Sequence, residues 1–402
     1  MTDPRMVVLV INCGSSSVKF ALFSGDRTAA RGMVERIGSH DASGHLDLPG
    51  SSRIALPVPS GADHASALGS VLAALRAHPD LASLEITAIG HRVVHGGDRF
   101  SSPTLITPQV LAEIRDLAPL APSHALANAT GIDAATRVFP GVPQVAVFDT
   151  AFHQSIPPEV YHYALPPEFH REHRVRRYGF HGTSHAWVAA RAVETLGLPE
   201  DKHRLLTAHL GNGCSATAIL DGKSVDTTMG LTPLEGLVMG TRSGNVDPNL
   251  HSYLHRRTGM SLDEITDLLN HRSGLTGVAG VNDMRHLAEL HAQGDPTACL
   301  AIDLFTFRLA RELCGLCAAL GGRPDAIVFT GGIGENSPLI RAETIARLSV
   351  LSTTLDPVLN AVHGRDSRGR ISPEITTPVV LVIPTNEELA IATETRRLTT
   401  VP

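Results

Sequence analysis

Two stretches half a chain apart carry one pattern: strand, tight polar turn, strand, turn, strand. Val8-Leu9-Val10-Ile11-Asn12-Cys13-Gly14 lays over Leu205-Leu206-Thr207-Ala208-His209-Leu210-Gly211. The same offset lays Phe20-Ala21-Leu22-Phe23-Ser24-Gly25 over Thr217-Ala218-Ile219-Leu220-Asp221-Gly222, so Gly25 and Gly222 stand 197 positions apart in a chain of 402. A turn rich in glycine and small hydroxyls points backbone N–H groups into one concavity, which suits phosphate oxygens. Two interpretations stand side by side: a duplicated domain clamping one polyphosphate, or two unrelated hairpins of a common type.

Further apolar runs end in polar, glycine-rich turns. Ile86 to Ile89 leads into Gly90-His91-Arg92-Val93-Val94-His95-Gly96-Gly97, Val145 to Phe148 ends at Asp149, Ile327 to Phe329 meets Thr330 to Asn336, and Val379 to Ile383 meets Pro384 to Glu388. Helical spacing fills the intervals at Ala65 to Ala77, Ser184 to Leu196, Ser261 to Leu269 and Thr297 to Leu320. Alternating strands and helices predict an α/β fold whose ligand crevice lies at the carboxyl ends of the strands.

Charge and composition exclude several classes. A net charge of −6 gives no general attraction for nucleic acid or an anionic membrane, and 4% aromatic residues leave few bases' worth of stacking surface. No run approaches the roughly 18 apolar residues of a membrane span, and Met6 to Ile11 is too short for a secretory leader. Five scattered cysteines argue against a disulfide framework and for a reducing cytoplasm. Cys314-Gly315-Leu316-Cys317 lies in a helical apolar run with no second ligand pair, so it is expected to pack rather than bind zinc.

Four groups of residues carry chemistry. Asn12 to Lys19, with Ser15 and Ser17, lacks the P-loop spacing yet offers hydroxyls, amides and a lysine to phosphate. Arg92 and Arg242 each sit among glycines; such an arginine either satisfies loop carbonyls or receives an anion. His181 precedes a helix start, with Thr183 or Ser184 expected as N-cap, where the dipole favours a neutral imidazole that donates. Asp149 and Glu387 end apolar runs; they are either oxygen ligands for a phosphate-bridging magnesium or helix caps, Asn386 being a rival cap for the second.

These segments resemble the acetate kinase (acetokinase) family, from Val7 to about Arg397. The similarity is carried by VLVINCGSSSVKF, GHRVVHGG, VAVFDTAFH, RRYGFHGTSH, HLGNG, TTMGLTPLEGLVMGTRSG, FTGGIGEN and PTNEELAIA, in family order. The resemblance implies the superfamily of acetate and sugar kinases, actin and the heat-shock chaperone ATPases: two ribonuclease-H-like α/β domains with nucleotide in an interdomain cleft. The expected domains are residues 1–150 with 388–402, and the nucleotide-binding 151–387. It implies Mg²⁺ (with Mn²⁺ as a substitute) at Asn12 and Glu387, and Ser15, Ser17 and Lys19 facing the transferring phosphate. It places Arg92 on the substrate anion and Val94 and Pro233 around the acyl methyl, with Asp149 an active-site carboxylate. His181 and Arg242 become transition-state stabilisers. His209, Leu210, Gly211, Asn212 and Gly213, with Asp283, Met284 and Arg285, and Gly332, Ile333, Gly334, Glu335 and Asn336, become nucleotide loops.

The implied reaction is reversible, in-line phosphoryl transfer between ATP and acetate, by a cytoplasmic homodimer. A carboxylate is already a nucleophile, so positioning and charge neutralisation must supply most of the barrier reduction. Four positions depart from the family pattern. Ser123 replaces a leucine of the acyl pocket, Asn245 replaces an aspartate and is expected to remove a charge near Arg242, and Cys13 and Cys214 stand where alanine, serine or glycine is usual, the Cys13 thiol being expected to be oxidation-sensitive. Propionate or butyrate kinase is the nearest alternative, and a catalytically silent nucleotide-binding regulator the alternative from another class.

Overall fold

The computed structural model describes residues 6–400, except the side chains of Pro122 and Ser123. It divides into two compact units, Met1–Ala151 with Asn386–Pro402, and Phe152–Thr385. Glu387 thereby belongs to the same unit as Arg92 and Asp149.

The first unit is built on an eight-stranded sheet of order β5-β4-β3-β2-β1-β6-β8-β7. Its strands are β1 (Val7–Cys13), β2 (Ser17–Ser24), β3 (Arg27–Glu35), β4 (Ser43–Asp47), β5 (Ile54–Leu56), β6 (Ile86–Val93), β7 (Thr104–Leu105) and β8 (Gln144–Phe148). Alternate residues of β1 face opposite layers. Leu9 and Ile11 pack with Leu68 and Val71 of the helix His64–Ala77 and Ala134 and Ala135 of the helix Pro122–Val138. Val8 and Val10 pack with Ile391 and Ala392 of the terminal helix Glu387–Thr399. A sheet covered on both faces reads as continuous apolar runs, which is why these strands are visible in the sequence. The fully buried Arg396 fixes the terminal helix, donating to the Gly25 carbonyl and, at 2.6 Å, to Asp26 Oδ1.

The second unit repeats the plan in a five-stranded sheet, β11-β10-β9-β12-β13. Here β9 is Arg204–Leu210, β10 Cys214–Leu220, β11 Lys223–Thr227, β12 Ala326–Thr330 and β13 Val379–Val382. In both sheets three sequential strands pair antiparallel and two later strands add in parallel beside the first: β1, β6, β8 in one and β9, β12, β13 in the other. The two similar hairpins of the sequence are therefore the same elements of a duplicated α/β domain, and the unrelated-hairpin interpretation falls away.

Two expectations need correction. Gly90 to Val93 is not a turn but the last half of β6, with His91, Arg92 and Val93 in register with Ala146, Val147 and Phe148. The strand tolerates polar residues because tertiary partners satisfy them: His91 is buried with its Nε2 2.7 Å from Gln144 Oε1. Gly90 is required there, since a Cβ would lie 2.4 Å from Thr395 Oγ1 and 2.6 Å from Ile391 Cγ2. The helix expected from Thr297 to Leu320 spans Pro296–Leu316, and its continuation breaks into turns around Cys317.

Candidate active site

In the first unit, β1, β6 and β8 bring candidate residues to their carboxyl ends. Arg92 presents a fork to Asp149: Nε donates to Oδ1 at 3.1 Å and Nη2 to Oδ2 at 2.7 Å. Glu387 Oε2 stands 3.8 Å from Arg92 Nε. The Asp149 charge, with Glu387 behind it, holds the guanidinium charged against the pull of burial. Burial pushes the Glu387 carboxyl upward, Arg92 opposes this, and the neighbouring Asp149 and Glu388 add to it. Two carboxylates thus share one arginine, whose Nη1 edge makes no hydrogen bond among the described residues.

The turn after β1 is closed by Gly14 N donating to Ser17 O at 2.8 Å, with His64 Nε2 2.9 Å from the Gly14 carbonyl. Asn12 stands opposite Lys19 on β2, Ser15 and Lys19 are exposed, and Ser17 is half-buried. Asn128, which the sequence reading missed, joins this turn to the arginine strand. Its Nδ2 donates to the Cys13 carbonyl at 3.1 Å, and its Oδ1 accepts from Val94 N at 3.0 Å. Cys13 itself is buried, and desolvation pushes its thiol up to about 12, so the expected oxidation sensitivity is corrected: the reactive thiolate is suppressed. Ser123 lies in the helix Pro122–Val138, and its side chain is outside the described residues.

In the second unit, a cavity of about 890 Å³ gathers Gly211, Asn212, Asp283, Met284, Arg285, Gly332, Ile333 and Asn336. Asn282, Ala288, Ser337, Pro338 and Leu339 complete it and were not foreseen. Ser337-Pro338 was readable as a helix start, and Ser337 does cap the helix Pro338–Ala346. Apolar walls with amides and one ion pair at the edge suit a nucleoside. The pair is Arg285 Nη2 on Asp283 Oδ2 at 3.0 Å, and the Arg285 hydrogen bond leads the causes holding the exposed Asp283 at about 2. His209, Leu210, Gly213, Gly334 and Glu335 do not line the cavity. Glu335 faces inward, its Oε1 accepting from Gly331 N and Thr385 N at 3.0 Å, which ties the ends of β12 and the segment after β13 together.

Beyond the Gly211–Gly213 turn stand Arg242 and His181. A Cβ on Gly213 would meet Arg242 Nη1 and His181 Cε1 at 3.4 Å and His181 Nε2 at 3.5 Å, so glycine leaves open the space these groups share. Arg242 Nη1 donates to the Pro233 carbonyl at 3.1 Å and lies 3.6 Å from Met239 Sδ; among the described residues it has no carboxylate partner. Burial accordingly pulls its pKa down. Its loop is pinned by backbone hydrogen bonds at three residues: Met239 N to Arg242 O, Gly240 N to Asn212 O, and Ser243 N to Leu269 O. Asn245 addresses Gly236 N at 2.8 Å and Glu312 rather than Arg242, which corrects the expectation of a lost charge beside the arginine.

The expected cap of the helix Gly182–Leu196 is also corrected. His181 itself is the N-cap, in left-handed backbone (φ 57°, ψ 23°), and no side chain caps the helix. That region costs a non-glycine residue about 1–2 kcal/mol. His153 Nε2 donates to the Phe180 carbonyl at 2.9 Å and anchors the strained peptide. The His181 ring stacks on His209 at 4.3 Å, and Ser184, once a candidate cap, holds His209 Nδ1 at 2.8 Å.

Burial keeps His91, His95 and His153 at about 4, below the ordinary 6.5. The unfolded chain therefore binds more protons between those values. Stability is complete above pH 6.5 and falls as the pH drops toward 4, by up to about 3 kcal/mol for each group. Urea midpoints should accordingly decline steeply from pH 7 to pH 5; a flat profile would show that these rings are hydrated.

The comparisons with known proteins point to one family. The acetokinase family model matches residues 7–393. The acetate kinase of Deinococcus deserti is 52% identical over 397 residues, covering 98% of each chain. The crystal structure of Porphyromonas gingivalis acetate kinase is 41% identical, with a TM-score of 0.91 over 98% of this chain and 100% of that one. A propionate kinase structure from Francisella tularensis is 42% identical, with a TM-score of 0.90 over 98% and 99%. With its motifs in family order, its two sheets of one plan, and this match along almost its entire length, the chain belongs to the acetokinase family.

Proposed function

We propose that the chain transfers the γ-phosphoryl of ATP reversibly to acetate, giving ADP and acetyl phosphate. The observation that carries this is the rim of the nucleoside-sized cavity. Gly211 and Asn212 line it, and the turn they begin leads at Gly213 to a guanidinium without a carboxylate partner among the described residues and to an imidazole, groups suited to charge developing on a phosphoryl in flight. Arg92, clamped by Asp149, orients the carboxylate. Asp149 acts through that arginine and makes no covalent bond. Val94 and Pro233 border the acyl group, and Ser15, Ser17 and Lys19 face the phosphate.

Asn12 and Glu387 would hold Mg²⁺. The donor set fits a hard cation that keeps several waters and takes phosphate oxygens, and the upward push on Glu387 marks a position where added positive charge is favourable. Bound there, Mg²⁺ neutralises phosphate charge. A homodimer belongs to the same family reading and is supported by exposed Leu300 and Phe307, on one face of the helix Pro296–Leu316. A reducing, cytoplasmic location is supported by five free cysteines, and among the described residues no helix is long and apolar enough to cross a membrane.

Propionate is the second reading, favoured by the equally good match to a propionate kinase structure. Trapping acyl phosphate as hydroxamate with C2 to C4 acids separates them. Acetate should give the highest kcat/KM, and Ser123→Leu should raise the acetate-to-propionate ratio by no more than the 1–3 kcal/mol of a methylene-sized change. ATP binding with no acyl phosphate from any acid would instead support the silent regulator.

A further inference from the structure

Behind His181, away from the space beside Gly213, runs a chain of short hydrogen bonds that the family motifs do not assign. His181 Nδ1 lies 2.9 Å from Ser215 Oγ. Ser215 Oγ lies 2.8 Å from His185 Nε2, and His185 Nδ1 lies 2.7 Å from Thr207 Oγ1. His185, Ser215 and Thr207 are fully buried, on the helix Gly182–Leu196, β10 and β9. We propose that Thr207, His185 and Ser215 form a proton-ordered relay that fixes His181 as its Nε2–H tautomer, the form that donates to a phosphoryl oxygen without first being protonated. The proposal rests on the role given above to His181.

The order follows from counting protons. Each hydroxyl has one proton, and a neutral imidazole has one donor and one acceptor nitrogen. The chain therefore runs in one of only two directions, and Thr207 decides which. Its proton goes either to His185 Nδ1 at 2.7 Å or to the Thr217 carbonyl at 3.5 Å. The second distance is at the limit of a hydrogen bond, so the imidazole takes the proton. His185 must then donate from Nε2 to Ser215 Oγ, and Ser215 must donate to His181 Nδ1. Only Nε2 is left to carry the His181 proton, and Nε2 is the atom that faces the space beside Gly213.

His185 can serve as the middle member because it stays neutral. Burial holds it well below the usual histidine range, and the nearby His153 and His209 rings push the same way. The His153 ring packs 5.8 Å from His185, and its own direction is fixed: Nε2 donates to the Phe180 carbonyl while Nδ1 accepts from Ser224 Oγ at 2.8 Å. Among the groups around His181 itself are His209, stacked on its ring, Ser215 at Nδ1, and Arg242 across the Gly213 space. His185, Ser215 and Thr207 are thus positioning residues, acting through His181.

The test reads the His181 tautomer directly, by ¹⁵N correlation spectra of histidine-labelled full-length protein, assigned with His181→Ala. In the wild type, His181 should show the single Nε2–H form across neutral pH. Ser215→Ala, which removes the donor to Nδ1, should give exchanging tautomers and lower kcat by about 10- to 100-fold, with KM for ATP within about twofold. Ser215→Thr, which keeps the hydroxyl, should restore both readouts. A wild-type spectrum of the Nδ1–H form or of a mixture overturns the relay, as does a Ser215→Ala protein that keeps one Nε2–H tautomer; the wild-type spectrum decides even if the variant does not fold. Wild-type kcat in His181→Ala would count against the phosphoryl role of His181, a separate outcome from the tautomer result.

Discussion

Replacing Arg242 by lysine is expected to lower kcat by about 10³-fold or more, although the charge is kept. An arginine acting on the transferring phosphoryl is worth about 10³–10⁵ in rate, roughly 4–7 kcal/mol. Lysine cannot reproduce the planar fork, and it would lose the arginine's defined hold on the Pro233 carbonyl. The loop should survive the change, because its backbone bonds to Asn212, Leu269 and within residues 239–242 do not involve the side chain. The loss should therefore appear in kcat, with the KM for ATP and the thermal midpoint nearly unchanged. Stopped-time assays of acetyl phosphate formation, with a melt of the same preparation, check both halves of that statement. A variant that is stable and within tenfold of wild-type kcat would remove Arg242 from the phosphoryl.

The second large effect belongs to Asp149. Asparagine there keeps the shape but removes the charge that holds Arg92 through two hydrogen bonds. Removing one partner of a buried pair costs about 3–5 kcal/mol. The low end, about 3 kcal/mol, applies here, since the Arg92 side chain keeps 23% exposure and Glu387 remains 3.8 Å away. The freed guanidinium should swing toward Glu387 and away from the acid it orients. kcat/KM for acetate should then fall by about 10²-fold or more, as expected when a positioning clamp is lost, and the urea midpoint should fall with it. Unchanged acetate kinetics would mean that Arg92 finds its orientation without Asp149.

How much of this was legible in the sequence depended on how local the cause was. The duplicated plan was visible because β1 and β9 are largely buried and read as apolar runs, and because the tight turns after them both carry glycine. The end of β6 was misread because Gly90-His91-Arg92 looks like a turn until Thr395, Ile391 and Gln144 are brought against it. Those partners lie at least 53 positions away. Separation in sequence also hid Asn128, which reaches Cys13 across 115 positions, and the Ser215–His185 chain behind His181, whose links span 30 and 34. The motif supplied the side chains that face outward from each strand end. It could not supply the residues that aim them, because those are chosen by packing. Asn245 shows the converse: it sits close to Arg242 in sequence, and its contacts lie elsewhere, on Gly236 and Glu312.

The most direct measurement is a crystal structure of the protein with Mg²⁺, ADP, aluminium fluoride and acetate, a mimic of the phosphoryl in flight. The expected result is the Arg242 guanidinium and His181 Nε2 within hydrogen-bond distance of the fluorides, with Arg92 on the acetate carboxylate. Aluminium fluoride bound with either guanidinium out of reach of the reacting groups would contradict it.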